Sequence, residues 1–170
     1  MIMYQDIWKR LKKPKPYYIA DIGANHDGDL ERALMLVELA KESGAHAAKF
    51  QNFKADTIVS RTAFAMLSNT SHQSNWDKSV YEVYKSAELN LEWTEAIKTK
   101  CEEVDIEYFT SPYDLEVLDK LDNYMRLFKI GSGDITWLEI IERVAKKGKP
   151  VLIASGASNQ VDVDRAMKVL

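Results

Sequence analysis

The string YYIADIGANHDG fills residues 17–28, DLERALMLVELAKESG residues 29–44 and AHAAKF residues 45–50. Read in order, they spell a strand, a turn, a helix and a second strand. Residues 17–22 are a short apolar run. Asp29 is a helix-capping residue type. After it Leu30, Ala33, Leu34, Val37 and Ala40 recur at intervals of three and four, the spacing of one buried helix face. Gly44 ends that helix, and residues 45–50 are apolar again. The order strand, helix, strand predicts two parallel strands with the helix packed outside them.

The same unit repeats toward the C-terminus. Strands are expected at 106–110, 126–130 and 150–154. Helices are expected at 78–88, at 91–104 behind the cap Asn90, at 114–121, at 136–147 and from 161 onward. Between residues 51 and 77 the pattern lapses into a long polar connection, a length that in a compact domain marks function or disorder. Toward the N-terminus, residues 1–16 form a basic lead-in carrying Lys9, Arg10, Lys12, Lys13 and Lys15. A short helix over residues 4–11 is expected there, stopped by Pro14 and Pro16. No apolar core or cleavage site of a secretory signal follows it.

Five strand–helix units suit two architectures. One is a flavodoxin-like doubly wound sheet. The other is part of a (β/α)8 barrel, which needs about 250 residues. Periodicity leaves both open. The last residues, Ala166-Met167-Lys168-Val169-Leu170, break off in an apolar helical face, which reads as a cut rather than a frayed end.

Composition narrows the chemistry. The 170 residues are 46% hydrophobic and 29% charged, enough for one domain with a core. With 23 basic and 26 acidic residues the net charge is −3, so no global field draws in nucleic acid or an anionic membrane. No apolar run approaches the roughly 18 residues of a membrane span. The single cysteine, Cys101, rules out an internal disulfide; it falls within a helical pattern and is read as a packing residue. This suits a reducing, cytoplasmic location.

In either architecture the site lies at the C-terminal ends of the strands. Lys49 and Lys129 stand out there, each inside an apolar strand pattern, because lysines are almost never buried unpaired. Gln51 shares the face of Lys49. A single such lysine is best read as an edge residue or ion pair. Two, each followed by glycines and hydroxyls, point to a shared phosphate or carboxylate ligand. On the expectation that their strands are neighbours, the two lysines converge on one anion with Ser132. The turns Gly131-Ser132-Gly133 and Ser155-Gly156 can cradle phosphate. Neither a G-x-G-x-x-G fingerprint nor a Walker motif occurs, which disfavours nucleotides. His26, His46 and His72 are scattered and lack ligand spacing; His46 reads as structural, and His26, beside Asn25 and Asp27 in the first turn, as either a site residue or a turn residue.

These motifs resemble a known family. Ile19-Ala20-Asp21-Ile22-Gly23-Ala24-Asn25-His26-Asp27-Gly28 resembles the opening motif of the sialic acid synthases, a group that includes legionaminic and pseudaminic acid synthases and spore coat polysaccharide relatives. Ala48-Lys49-Phe50-Gln51, Phe109-Thr110-Ser111-Pro112-Tyr113-Asp114, Phe128-Lys129-Ile130-Gly131-Ser132-Gly133-Asp134 and Gly148-Lys149-Pro150 with Ser155-Gly156 are similar to the following strand motifs, in the same order. The resemblance spans residues 17–170 and implies an α/β, (β/α)8 TIM-barrel fold cut after about five strands.

It also implies a reaction. Phosphoenolpyruvate condenses with an N-acetylated hexosamine such as N-acetylmannosamine, giving a nine-carbon 2-keto acid and phosphate. A divalent metal, Mn or Mg, activates the aldehyde, with ligands that lie outside this chain; full-length relatives are homodimers. By the same resemblance Asp21, Lys49 and Lys129 are catalytic, and Gln51, Asn75, Ser111, Ser132 and Ser155 bind substrate. Two departures stand out. Asp21 occupies a position where the family has glutamate, and Ala154 precedes Ser155 where a second hydroxyl is common. With three strands and an antifreeze-like domain unaccounted for, the isolated chain is expected to be inactive. A Schiff-base aldolase using Lys129 and a non-catalytic anion-binding fragment are the competing readings.

Overall fold

The computed structural model describes residue 9, residues 15–66 and residues 77–170. The lead-in helix expected over 4–11 lies, Lys9 apart, outside the described residues, as do His72 and Asn75.

The first unit forms as its sequence dictates. Strand β1 (Ile19–Gly23) leads through a turn into helix α1 (Leu30–Glu42), whose cap Asp29 accepts from the Arg32 N–H at 3.1 Å. Ala33, Val37 and Ala40 are its buried stripe. Gly44, at φ +83°, turns the chain in a left-handed conformation that a side chain would strain. Strand β2 (Ala47–Asn52) then pairs parallel to β1, with Ile19 opposite Ala47 and Asp21 opposite Lys49.

The connection after β2 is more structured than its polarity suggests. It carries α2 (Ala55–Ile58), α3 (Arg61–Met66) and, further on, α4 (Val80–Ser86). Each is short and lacks a long apolar stripe, which is why periodicity over 51–77 misses the first two. The helix expected over 91–104 begins as a 3₁₀ turn (Leu91–Trp93), capped by Asn90, and becomes α5 (Thr94–Glu103). Strand β3 (Glu107–Pro112), helix α6 (Leu115–Leu121), strand β4 (Phe128–Ile130), helix α7 (Leu138–Ala145), strand β5 (Val151–Ile153) and helix α8 (Gln160–Val169) complete the order.

Among the described residues the strands form two parallel ladders, β1-β2-β3 and β4-β5. Strand β3 therefore stands between β2 and β4. The expectation that Lys49 and Lys129 sit on adjacent strands is corrected: they are two strands apart.

Strand alternation sorts the side chains into two layers. Ala48, Phe50, Tyr108, Phe128 and Ile130 face the helices and join the main core with residues such as Val37, Ile97, Leu118 and Ile141. Each fully buried Leu, Ile or Phe there contributes about 1.5–3 kcal/mol. The opposite face holds a smaller cluster of Ala47, Phe109 and Leu127, with Ile19 and Leu152 against it. Cys101 is fully buried, its thiol pushed up to about 12 by burial, so it is a packing residue. His46 is structural as well: its Nδ1 accepts from the Tyr18 N–H at 3.0 Å, and its ring stacks on Tyr17 and Tyr18.

Candidate functional site

The face that carries Ile19, Ala47, Phe109 and Leu127 carries, one alternation further along, Asp21, Lys49, Ser111 and Lys129. Strand register fixes this: Asp21 is paired with Lys49, and Gln51 with Ser111. The apolar layer forms a floor, and the polar layer sits above it at the C-terminal ends of the strands.

Lys49 is 7% exposed, and its Nζ lies 2.7 Å from Asp21 Oδ1. That pairing answers the charge-burial cost of a strand lysine. Asp21 itself is largely exposed, so its carboxylate keeps water on its outer side. Gly23 follows at φ +58°, where β1 breaks register. A Cβ there would meet Asp21 Oδ1 at 3.4 Å and the Gln51 amide at 3.8 Å. Gly23 thus lets Asp21 and Gln51 close over the strand end.

Lys129 is half-buried, and its Nζ donates to the Ile130 carbonyl at 3.0 Å. Burial pulls its pKa below the ordinary lysine value, and the Lys49 ammonium pulls it in the same direction; Asp21 and Asp134 oppose. The two lysines, two strands apart, therefore share one electrostatic environment. Asp21 answers Lys49 directly, while Lys129 is held only by the Ile130 carbonyl and the more distant Asp21 and Asp134.

Two further groups complete the constellation. Asp134 is half-buried after β4, and burial raises its carboxyl above the usual range, with Lys129 drawing it back. Tyr113 follows β3, and its backbone N–H donates to the Asn52 carbonyl at 2.9 Å. Both approach Gly131, where an added Cβ would lie 2.8 Å from Asp134 Oδ2 and 3.4 Å from the Tyr113 hydroxyl. Neither had a role assigned from the sequence. The Asp134 carbonyl also accepts from the Trp137 N–H at 2.9 Å. The available signal for Tyr113 was its spacing, two residues beyond Ser111.

The other expected site residues divide. Gln51 and Ser111 are on the lysine face. Ser132 and Ser155 stand in the turns directly after β4 and β5, and Lys129 bonds the Ile130 carbonyl rather than Ser132. Asn75 lies outside the described residues.

His26 is fully buried. Its Nδ1 accepts from the Gly28 N–H at 3.1 Å, and its ring lies edge-on to Trp93. Burial lowers its pKa despite Asp27 nearby. Its Nδ1 is engaged by the backbone, and among the described residues no three His, Cys, Asp or Glu side chains gather into a group that could hold a metal. The residues described here do not fit a metal centre by themselves.

The comparisons with known proteins agree with this geometry. The NeuB family model matches residues 36–170. Over 157 residues the chain is 34% identical to the N,N'-diacetyllegionaminic acid synthase of Campylobacter jejuni, covering 92% of this chain and 47% of that protein. It is 32% identical to the human N-acetylneuraminate-9-phosphate synthase, covering 91% and 43%. Among solved structures, the N-acetylneuraminic acid synthetase of Leptospira borgpetersenii, a complex with citrate, superimposes with a TM-score of 0.78 at 25% identity, over 91% of this chain and half of the other. The chain thus spans about half the length of the relatives it matches. The architecture left open by periodicity resolves to the α/β, (β/α)8-barrel type, with five strands among the described residues. With a matching model over 36–170 and motifs on every strand end, the chain belongs to the NeuB family.

Proposed function

We propose that this chain forms the phosphoenolpyruvate-binding part of an enzyme that condenses phosphoenolpyruvate with an N-acetylated hexosamine. The product is a nine-carbon 2-keto acid of the sialic acid type, released with inorganic phosphate. The observation that supports this most is the pair of lysines, Lys49 and Lys129, on one face of the strands and near enough for the charge of Lys49 to bear on Lys129. Phosphoenolpyruvate carries a phosphate and a carboxylate, and two ammoniums neutralise them.

In the reaction C3 of the enol ester forms a bond to the sugar aldehyde carbon. Water adds at C2, and the C2–O bond to phosphate breaks. Lys49 and Lys129 hold the anionic groups and stabilise charge as it moves onto phosphate. Ser111 hydrogen-bonds an anion oxygen, with Ser132 and Ser155 reaching the phosphate from their turns. Asp21 keeps Lys49 oriented at 2.7 Å and presents its exposed side to the aldehyde end, with Gln51 beside it. By the family resemblance, the sugar is also assigned to Asn75. The divalent metal of this reading takes its ligands from outside the chain, and no step here runs through it. The active enzyme is a homodimer of longer chains.

One observation favours a second reading. A lysine whose pKa is pulled down by burial and by another cation is also suited to form an imine. Borohydride trapping with pyruvate separates the two, since the condensation forms no imine.

The principal test is phosphoenolpyruvate binding by calorimetry, with Lys49→Met and Lys129→Met alongside. Losing a hydrogen bond to a charged group weakens binding about tenfold to a hundredfold, and each variant is expected to show that loss. Unchanged affinity in both variants overturns the reading. In a phosphate-release assay with N-acetylmannosamine and Mn²⁺, the chain alone is expected to be inactive, and turnover is expected when the remaining barrel strands are supplied as a second polypeptide.

A further inference from the structure

We propose that the Tyr113 hydroxyl is a substrate-contacting donor of this site, set beside Ser111 and across the bare Gly131 backbone from the Asp134 carboxyl. The proposal rests on the phosphoenolpyruvate reading above and deepens it. It says which neutral groups grip the anion on the side away from Lys49.

The ring and the hydroxyl of Tyr113 have separate explanations. The ring packs edge-on against Phe53 at 6.5 Å, a contact that phenylalanine makes equally well. Nothing in that contact needs an oxygen. The hydroxyl instead points toward the polar layer. It stands beside the Gly131 backbone and lies in the fields of Asp134 and Asp21, with Ser111 two residues back on the same strand end. Its position is set by β2, because the Tyr113 N–H is bonded to the Asn52 carbonyl, one residue beyond Gln51. On the other side Gly131 leaves room: any side chain there would collide with Asp134 Oδ2 and crowd the phenol oxygen.

Chemistry suits this corner to an anion. Burial and the neighbouring Asp134 carboxyl push the Tyr113 phenol upward, so it keeps its proton and remains a donor at neutral pH. Burial raises the Asp134 carboxyl above the usual range, and Lys129 draws it back. An enol phosphate has more acceptor oxygens than two ammoniums can satisfy. The Tyr113 phenol adds a neutral donor without adding charge to a site that already holds two cations, and a hydrogen bond from it to an anion is stronger than a neutral pair.

The experiment measures the affinity of the 170-residue chain for phosphoenolpyruvate by calorimetry, comparing the unsubstituted chain, Tyr113→Phe and Lys49→Met. Tyr113→Phe is expected to weaken binding about tenfold while leaving the melting temperature unchanged. Wild-type affinity in Tyr113→Phe, with binding lost in Lys49→Met, overturns the proposal and leaves the anion site standing. If the unsubstituted chain binds no better than Lys49→Met, the phosphoenolpyruvate reading itself fails. A second measurement guards against a folding defect in the variant. In the unsubstituted chain labelled with ¹³C-tyrosine, the Tyr113 ring signal is expected to shift on saturation with phosphoenolpyruvate, and an unmoved signal counts against the contact.

Discussion

His26 shows at the scale of one residue how a motif can mislead. It stands in the first turn between Asn25 and Asp27, at a strand end where site residues belong. The structure buries it completely, with Nδ1 taken by the Gly28 N–H and the ring against Trp93. That hydrogen bond requires the neutral ring, and burial lowers the pKa below the ordinary 6.5. The sign for stability follows. Below about pH 6.5 the unfolded chain takes up a proton that the folded chain refuses. Stability is therefore expected to fall as pH drops from 6.5 toward the lowered folded value, by at most about 1.4 kcal/mol per pH unit from this group. Thermal melts from pH 7.5 to 5 are expected to show a shallower acid slope in His26→Asn than in the parent chain. An equal slope removes His26 from the account. The lysines were legible for the opposite reason: a charge inside an apolar strand is costly enough to be visible without coordinates. Asp134 and Tyr113 were not, because their roles depend on how closely two strand ends meet over Gly131.

Among the elements, only the two shortest α-helices escaped the sequence pattern. Helices α1, α7 and α8 combine a cap or a buried stripe with a full two turns or more. Helices α2 and α3 have four and six residues, too few for a period to register. Helix α4 is instructive, since none of its seven residues is buried. Its stability comes from its ends and its neighbours. The Ser79 side chain accepts from the Glu82 N–H while the Glu82 carboxylate accepts from the Ser79 N–H, a reciprocal pair that satisfies two otherwise free donors. The Ser79 hydroxyl, donating to the Glu82 carboxylate at 2.7 Å, and then the Ser79 N–H hold that carboxyl below its ordinary pKa. Tyr81 reaches Asp56 on α2, and Tyr84 packs on Phe53. Ser79→Ala is expected to cost about 1 kcal/mol, concentrated in this helix. Amide exchange of residues 80–86 is expected to accelerate several-fold while β2 and β3 stay unchanged. Uniform acceleration throughout the chain would show that α4 has no local stability of its own.

For the whole molecule, the number and direction of the strands could be read from residue order, because a helix between two strands leaves little choice. Their grouping could not. Strands β3 and β4 are neighbours without a shared ladder among the described residues, a break that no motif encodes. This joint lies between the two lysines. What clasps it is side-chain packing, together with ion pairs such as Arg126 to Glu107 at 3.4 Å. Amides of β4 are expected to exchange faster than those of β2, and phosphoenolpyruvate is expected to slow them. Equal exchange in both strands, with and without ligand, contradicts this. The spacing of the two ammoniums then becomes a mechanical variable instead of a fixed dimension. If the exchange of β4 slows as expected, a guest carrying two negative groups bridges the joint from both sides. The sheet is then a caliper whose jaws are lysines, set by the charge of what it holds.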